Sequence, residues 1–253
     1  MAKRKKRKDL GLSALAVLLF IVLFIFFSGF FVGYSCADKP EKQESTKTTE
    51  TKKPEMPSNN DSTDPLVEEK IAEMSLSDMV YQMMIVSPEE ITDVEVATLA
   101  GDSTKKAIET KPIGGLVYAA KNFEDAAQTE SLVKNSQSYS KLPLFIAIAD
   151  DGADKYSEDE FKNFGFNLIL TDKLKDDFAK VEIDGVTISK YEGEKFIIEA
   201  LDAGADIIYN STELEATHSQ ILKAVEDGKI SEDRIKESVR KILTLKLKKG
   251  ILN

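Results

Sequence analysis

Two adjacent carboxylates, Asp150 and Asp151, follow directly on the apolar run LPLFIAIA (142–149). Such a pair can divide general acid and base work if its surroundings push the two pKa values apart. The other candidates for contact with a ligand sit at the ends of similar runs. Asn167 and Asp172 flank LILT (168–171), Ser189 closes GVTIS (185–189) with Lys190 next, and Asn210 closes GADIIYN (204–210). A plainer reading stands beside each of the stronger ones. Asp150 and Asp151 could lie in a solvated turn, Asn167 could bond local backbone, and Lys190 could snorkel to the surface. The chain has one histidine, His218, and one cysteine, Cys36. One imidazole rules out a multi-histidine zinc centre, and one thiol rules out an internal disulfide framework. His218, in ELEATHSQIL, reads as an ordinary helix residue. Gly114-Gly115 precedes a strand and lacks the G-x-G-x-x-G spacing, so it is no phosphate cradle; it reads as a place where the backbone turns into the strand. No metal and no cofactor is expected.

The charge distribution narrows the partners. Residues 1–9 hold six basic groups and one acidic group. Removing them from totals of 34 basic and 44 acidic leaves 28 and 43, a net charge of −15. A body this acidic repels phosphate backbones, so no nucleic acid is expected.

These residues must be positioned by an alternation of short apolar runs and amphipathic stretches. The runs are QMMIVS (82–87), GGLVYAA (114–120), LPLFIAIA (142–149), FNLILT (166–171), GVTIS (185–189) and GADIIYN (204–210). None has helical period, and runs apolar on both faces suit buried parallel strands. Between them lie helical stretches, of which the last is clearest. Ser231 can cap it, Ile235, Val239, Ile242 and Leu243 share one face, and Gly250 can stop it. Strand–helix alternation implies an α/β fold with a parallel sheet.

The amino-terminal part reads differently. No charged residue occurs between positions 10 and 37, and the apolar core of that stretch has 23 residues. A bilayer-spanning helix needs ~20, whereas a cleaved signal has an apolar region of only ~7–15. The preceding KRKKRK should stay cytoplasmic. We therefore expect a cytoplasmic tail at 1–9, a transmembrane anchor at 10–33 and the remainder outside the cell membrane. Cys36, in GYSCAD, is a possible lipidation site, although Gly33 stands where such sites usually carry leucine. Residues 34–64 are nearly free of apolar groups beyond the membrane edge and read as a disordered stalk. The globular domain is expected at 65–253, opening with an Asp64 cap and Pro65 at the first helical position.

Several of these stretches together resemble the N-terminal barrel domain of family-3 glycoside hydrolases, in the β-N-acetylhexosaminidase branch. MSLSDMVYQMMIV (74–86) is similar to that family's first helix and strand, and KPIGGLVYAAKNFEDAAQTESLVKNSQ (111–137) to its second. LPLFIAIADDG (142–152) and FKNFGFNLILTD (161–172) resemble the third and fourth. GVTIS resembles the strand that carries the nucleophile. ALDAGADIIYN (200–210) and KAVEDGKISEDRIKESVRKILTLKLKKGIL (223–252) resemble the closing segments. The resemblance implies a (β/α) barrel of the TIM type, an O-glycosyl hydrolase ancestry and a structural role for Asp206.

The departures are as informative. The resemblance places the nucleophilic aspartate where Lys190 stands, and an ammonium cannot attack an anomeric carbon. The histidine-bearing acid/base loop has no counterpart. Ala149 stands at the sugar-binding aspartate, Ala153 at a glycine and Asp154 at an arginine. A (β/α)₈ barrel takes ~250 residues, more than 65–253 supplies, and only six strands are evident. The expectation is an incomplete barrel of about six strands behind one transmembrane helix, with no assigned catalytic residue. It would serve as a binding module for cell-wall glycan or another envelope protein, with homo-oligomerisation one way to cover an open sheet. The alternative is a divergent glycosidase with rebuilt carboxylates.

Overall fold

The computed structural model describes residues 64–169, 180–190, 196–209 and 213–253. The anchor expected at 10–33, the stalk and Cys36 lie outside these residues. Among the described residues no helix is long and apolar enough to cross a membrane.

The chain enters helix α1 (Pro65–Ala72) as expected. Asp64 accepts a hydrogen bond from Leu66 N and Pro65 takes the first helical position. Helix α2 (Leu76–Gln82) begins with a reciprocal capping box between Ser75 and Asp78. It delivers the chain into β1 (Met84–Val86), and α3 (Pro88–Thr92) and α4 (Asp102–Thr110) follow. The next units are β2 (Gly115–Tyr118) with α5 (Ala126–Ser138), β3 (Phe145–Ile148) with α6 (Glu158–Phe164), and β4 (Leu168–Ile169). After it come β5 (Lys180–Ile183), β6 (Val186–Lys190), α7 (Ile197–Asp202) and β7 (Ile207–Tyr209). Helices α8 (Leu214–Glu226) and α9 (Glu232–Lys248) close the fold.

The sheet order is β4-β3-β2-β1-β7-β6-β5. Strand β1 pairs parallel with both β2 and β7. That is the seam at which a closed barrel joins its first strand to its last. The closing seam is therefore present, and among the described residues β4 and β5 are the two edges of the sheet. All six apolar runs read as strands from the sequence are strands. Among the described residues the sheet nevertheless has seven members, not about six. The additional one, β5, runs antiparallel to β6 in a hairpin. Asp184 and Gly185 at its turn both have positive φ, 49° and 83°, the backbone required of a two-residue hairpin loop. An open, seven-stranded, mostly parallel half-barrel is thus the architecture.

Close backbone approach, rather than a turn, explains Gly114-Gly115. Neither has positive φ. A Cβ on Gly114 would run into the Gln82 carbonyl oxygen, and one on Gly115 into the Phe145 carbonyl oxygen. The glycines let β2 lie tightly between its neighbours.

The central strands are buried on both faces, with Ile85, Leu116, Phe145, Ile146, Ile188, Ile207 and Ile208 all inaccessible to solvent. Helix α9 buries Ile235, Val239, Ile242 and Leu243, the face expected from the sequence, and Gly250 follows it with φ 70°. His218 is a packing residue, as expected. Its ring stacks on Tyr81 at 3.8 Å, and Nε2 lies 3.1 Å from Ser77 Oγ.

Candidate functional site

In parallel α/β sheets the chemistry gathers beyond the carboxyl ends of the strands. At the end of β3, Ala149 leads into a single 3₁₀ turn, Asp150–Gly152. It exposes Asp150 and Asp151 to solvent, and Ala120 N donates to Asp151 Oδ1 at 3.5 Å. Across the mouth, Tyr209 ends β7, and its hydroxyl donates to the Ile148 carbonyl oxygen at 3.4 Å. Burial pushes the Tyr209 phenol well above its usual range, and the negative charges of Asp150 and Asp151 push it further. Strands β7 and β3 are separated by β1 and β2, so a side chain joining them crosses the concave face of the half-barrel.

Lys190 is the last residue of β6 and is in register with Tyr209. It therefore points to the same concave face, where it is half-buried. Alternation along the strand turns Ser189 to the other face, toward the helices. Ser189 is fully buried there, and its hydroxyl has no hydrogen-bond partner. Asn167 is occupied by the strands themselves. Its Oδ1 accepts from Ile146 N at 3.0 Å and its Nδ2 donates to the Leu144 carbonyl oxygen at 3.1 Å. The amide thus extends the ladder between β3 and β4. Asp172 and Asn210 lie outside the described residues. Of the seven residues named from sequence, Asp150, Asp151 and Lys190 come to the carboxyl-end mouth, while Asn167 and Ser189 do not.

Sequence reading missed a further carboxylate at this end. Glu89, in the first turn of α3, has a side chain only 10% exposed. Its Oε1 accepts from Ala97 N at 3.0 Å and from Asn122 Nδ2 at 2.6 Å, with Lys121 Nζ at 3.4 Å. Burial pushes the carboxyl up. The hydrogen bonds from Ala97, its own backbone and Asn122, together with the Lys121 charge, outweigh that, and its pKa falls below the ordinary value. The other oxygen, Oε2, is buried without a partner. Asp151 and Glu89 both engage the turn Ala120–Asn122. The oxygens with contacts named here serve backbone, amide and lysine groups. In sequence Glu89 looks like any acid in a first turn, which helices favour for their dipole.

Two further polar centres lie inside the fold. Asp206 is fully buried and accepts from Thr187 N at 3.0 Å and Ser238 Oγ at 2.6 Å. Arg234 and Lys241 stand 3.5 and 3.4 Å away. It ties β6, β7 and α9 together, the structural role its motif implied. Lys246 is also fully buried, with Nζ donating to Gln82 Oε1 at 2.9 Å and lying 5.1 Å from the Phe145 ring centroid. Both belong to the amino-end side of the sheet. A cavity of about 310 Å³ opens there too, lined by Lys70, Glu73, Asp78, Gln82 and Lys141 among others. Among the described residues no group of three or more His, Cys, Asp or Glu could hold a metal ion.

No family model and no curated protein matches the sequence. Solved structures do match in fold. One is a glycoside hydrolase family 3 β-N-acetylglucosaminidase from Paenibacillus sp. str. FPU-7, at TM-score 0.54 and 15% identity, over 70% of this chain and 63% of that one. A fungal multi-domain family-3 β-N-acetylglucosaminidase matches at TM-score 0.53 and 11% identity, over 71% of this chain and 40% of that one. LpqI of M. tuberculosis matches at TM-score 0.52 and 10% identity, over 73% of this chain and 97% of that one. The chain thus spans less than two thirds of the length of the first two. At these identities the likeness shows the fold: a half-barrel similar to the barrel domain of family-3 glycoside hydrolases.

Proposed function

We propose that this chain is a non-catalytic relative of family-3 glycoside hydrolases. In this reading it is held outside the cell membrane by residues 10–33 and acts as a carbohydrate- or protein-binding module. The observation that carries the reading is the end of β6. Where the family resemblance puts a nucleophilic carboxylate, Lys190 faces the concave side, in register with Tyr209. An ammonium there cannot form a glycosyl–enzyme bond and opposes an oxocarbenium-like transition state. Tyr209 spans the same face to reach Ile148.

Purified full-length chain is expected to release no aryl alcohol from N-acetylglucosaminide or glucoside substrates at any pH between 4 and 9. Lys190→Asp should not restore turnover. A nucleophile without a positioned acid leaves the departing oxygen unprotonated, and that assistance is worth ~10²–10⁴-fold. Asp150 and Asp151 are exposed on one turn, which keeps the rebuilt-glycosidase alternative testable. Turnover abolished by Asp150→Asn or Asp151→Asn would replace our reading with that one.

The anchor proposal rests on the uncharged run and its basic flank. Protease added to intact cells should cut within 38–64 and shed the carboxyl-terminal body. A body protected until lysis would refute the orientation.

A further inference from the structure

Among the described residues four large hydrophobic side chains are exposed, and three of them, Val94, Val96 and Leu99, lie within six consecutive positions. Their exposures are 42%, 45% and 74%. Single exposed aliphatics are ordinary on a soluble surface, whereas three on one short segment are what a contact site would need. The fourth, Phe196, lies elsewhere in the sequence.

The segment that carries the cluster is held down at several points. Glu89 Oε1 takes Ala97 N, and Asn122 Nδ2 donates to the Ala97 carbonyl oxygen at 2.9 Å. Gln128 Nε2 donates to the Thr98 carbonyl oxygen, and Tyr139 to that of Ala100 at 3.1 Å. Ala97 and Ala100 are the residues this pinning buries. The fold even retains an unpartnered buried oxygen, Glu89 Oε2, in the same arrangement, and such a group is costly. The result is a fixed loop that shows its large side chains to water. Ordering a contact surface before the partner arrives lowers the entropy lost on binding.

Charge identifies the partner's chemistry. Asp93 and Glu95 are exposed and alternate with Val94 and Val96, and exposed Asp102 closes the loop, on a domain whose acidic groups outnumber its basic ones. We propose that the loop 93–102 is a docking surface for a protein segment whose aliphatic residues are interleaved with lysine or arginine. This deepens the binding-module reading and rests on it. The turnover assay tests that reading separately, so the two can fail independently.

The test uses full-length chain in phosphatidylcholine nanodiscs, with empty nanodiscs subtracted. The probes are fluorescent 12-residue peptides in which three leucines are spaced among lysines and serines, or among glutamates and serines, or in which the leucines are replaced by serine. Fluorescence anisotropy should show binding of the lysine–leucine peptide alone, weakening as salt rises. Leu99→Ser and Val96→Ser should each weaken it at least tenfold, with circular dichroism unchanged because both side chains are exposed. Glu130→Gln, a charge change outside the loop, should leave it within twofold. Equal binding by the glutamate–leucine peptide, no binding by any peptide, or binding indifferent to Leu99→Ser would overturn the proposal. So would self-association of the chain that Leu99→Ser abolishes, which would assign the surface to a second copy.

Discussion

Replacing Asp206 with alanine should cost the fold about 3–5 kcal/mol, the range found when one partner of a buried ionic cluster is removed. The carboxylate has no exposed surface, and four groups converge on it. Without it, Thr187 N and Ser238 Oγ lose their acceptor inside the protein, at ~1–3 kcal/mol for each group left unpaired. Arg234 keeps its bonds to the Leu201 and Ala205 carbonyl oxygens and, being partly exposed, recovers some hydration. That places the total inside the range rather than above it. The loss should be structural in a specific way. Asp206 bridges β6 to α9 just before β7 enters the sheet, and β7 is the strand that closes against β1. Asp206→Asn keeps one acceptor oxygen, for Thr187 N, and its amide nitrogen can donate to the Ser238 hydroxyl oxygen, so it should cost clearly less. Urea unfolding of the full-length chain, followed by circular dichroism, measures both. An alanine variant that melts with the wild type, or an asparagine variant as damaged as the alanine one, would remove Asp206 from the centre of the fold.

That centre was legible in part. The parallel strands announced themselves as apolar runs because they are covered on both faces, and α9 did so because its apolar face repeats at helical spacing. The β5 strand escaped because its side chains alternate between exposed and half-buried at the sheet's edge, leaving no apolar run. Its signal was the Asp184-Gly185 dipeptide between two alternating stretches, a hairpin pattern inside a segment read as a connector. The site was less legible than the fold. Position at a strand end suggested ligand contact for Ser189 and Asn167 alike. Which face a residue takes depends on register, and one step separates Ser189 on the helix side from Lys190 on the concave side. Asn167 looks functional by type, yet its amide extends the ladder between β3 and β4. Lys246 carried a readable warning. It follows Ile235, Val239 and Ile242 at intervals of four, three and four, which puts a lysine on the apolar stripe.

That lysine sets the second large expectation: the fold should become more stable as pH rises from about 7 to about 10. Burial pushes the Lys246 ammonium down from its ordinary 10.5 to about 7. In the unfolded chain the same amine keeps its proton to about pH 10.4. Between those values the unfolded state binds the extra proton, so stability increases with pH. Below pH 7 both states are charged and the burial cost is present in full. At 1.36 kcal/mol per pKa unit the whole rise amounts to about 4–5 kcal/mol. The Gln82 side-chain oxygen Oε1 and the Phe145 ring favour the cation and work against part of it. The tyrosines set the upper limit. Burial pushes Tyr81 up to about 12, and Tyr118 and Tyr209 higher still. Above pH 10 the unfolded phenols lose protons that the native ones keep, so stability falls again. Lys246→Met fills the same volume without a charge. It leaves the Gln82 oxygen without its donor, at ~1–3 kcal/mol, and removes a larger burial cost at pH 7. The variant should therefore match or exceed the wild type at pH 7 and show a flat profile up to pH 9.5. Urea midpoints of both proteins at pH 7, 8, 9 and 9.5 decide it. Parallel profiles would mean that Lys246 keeps its proton in the folded protein, and that the half-barrel holds a true cation beneath the Phe145 ring.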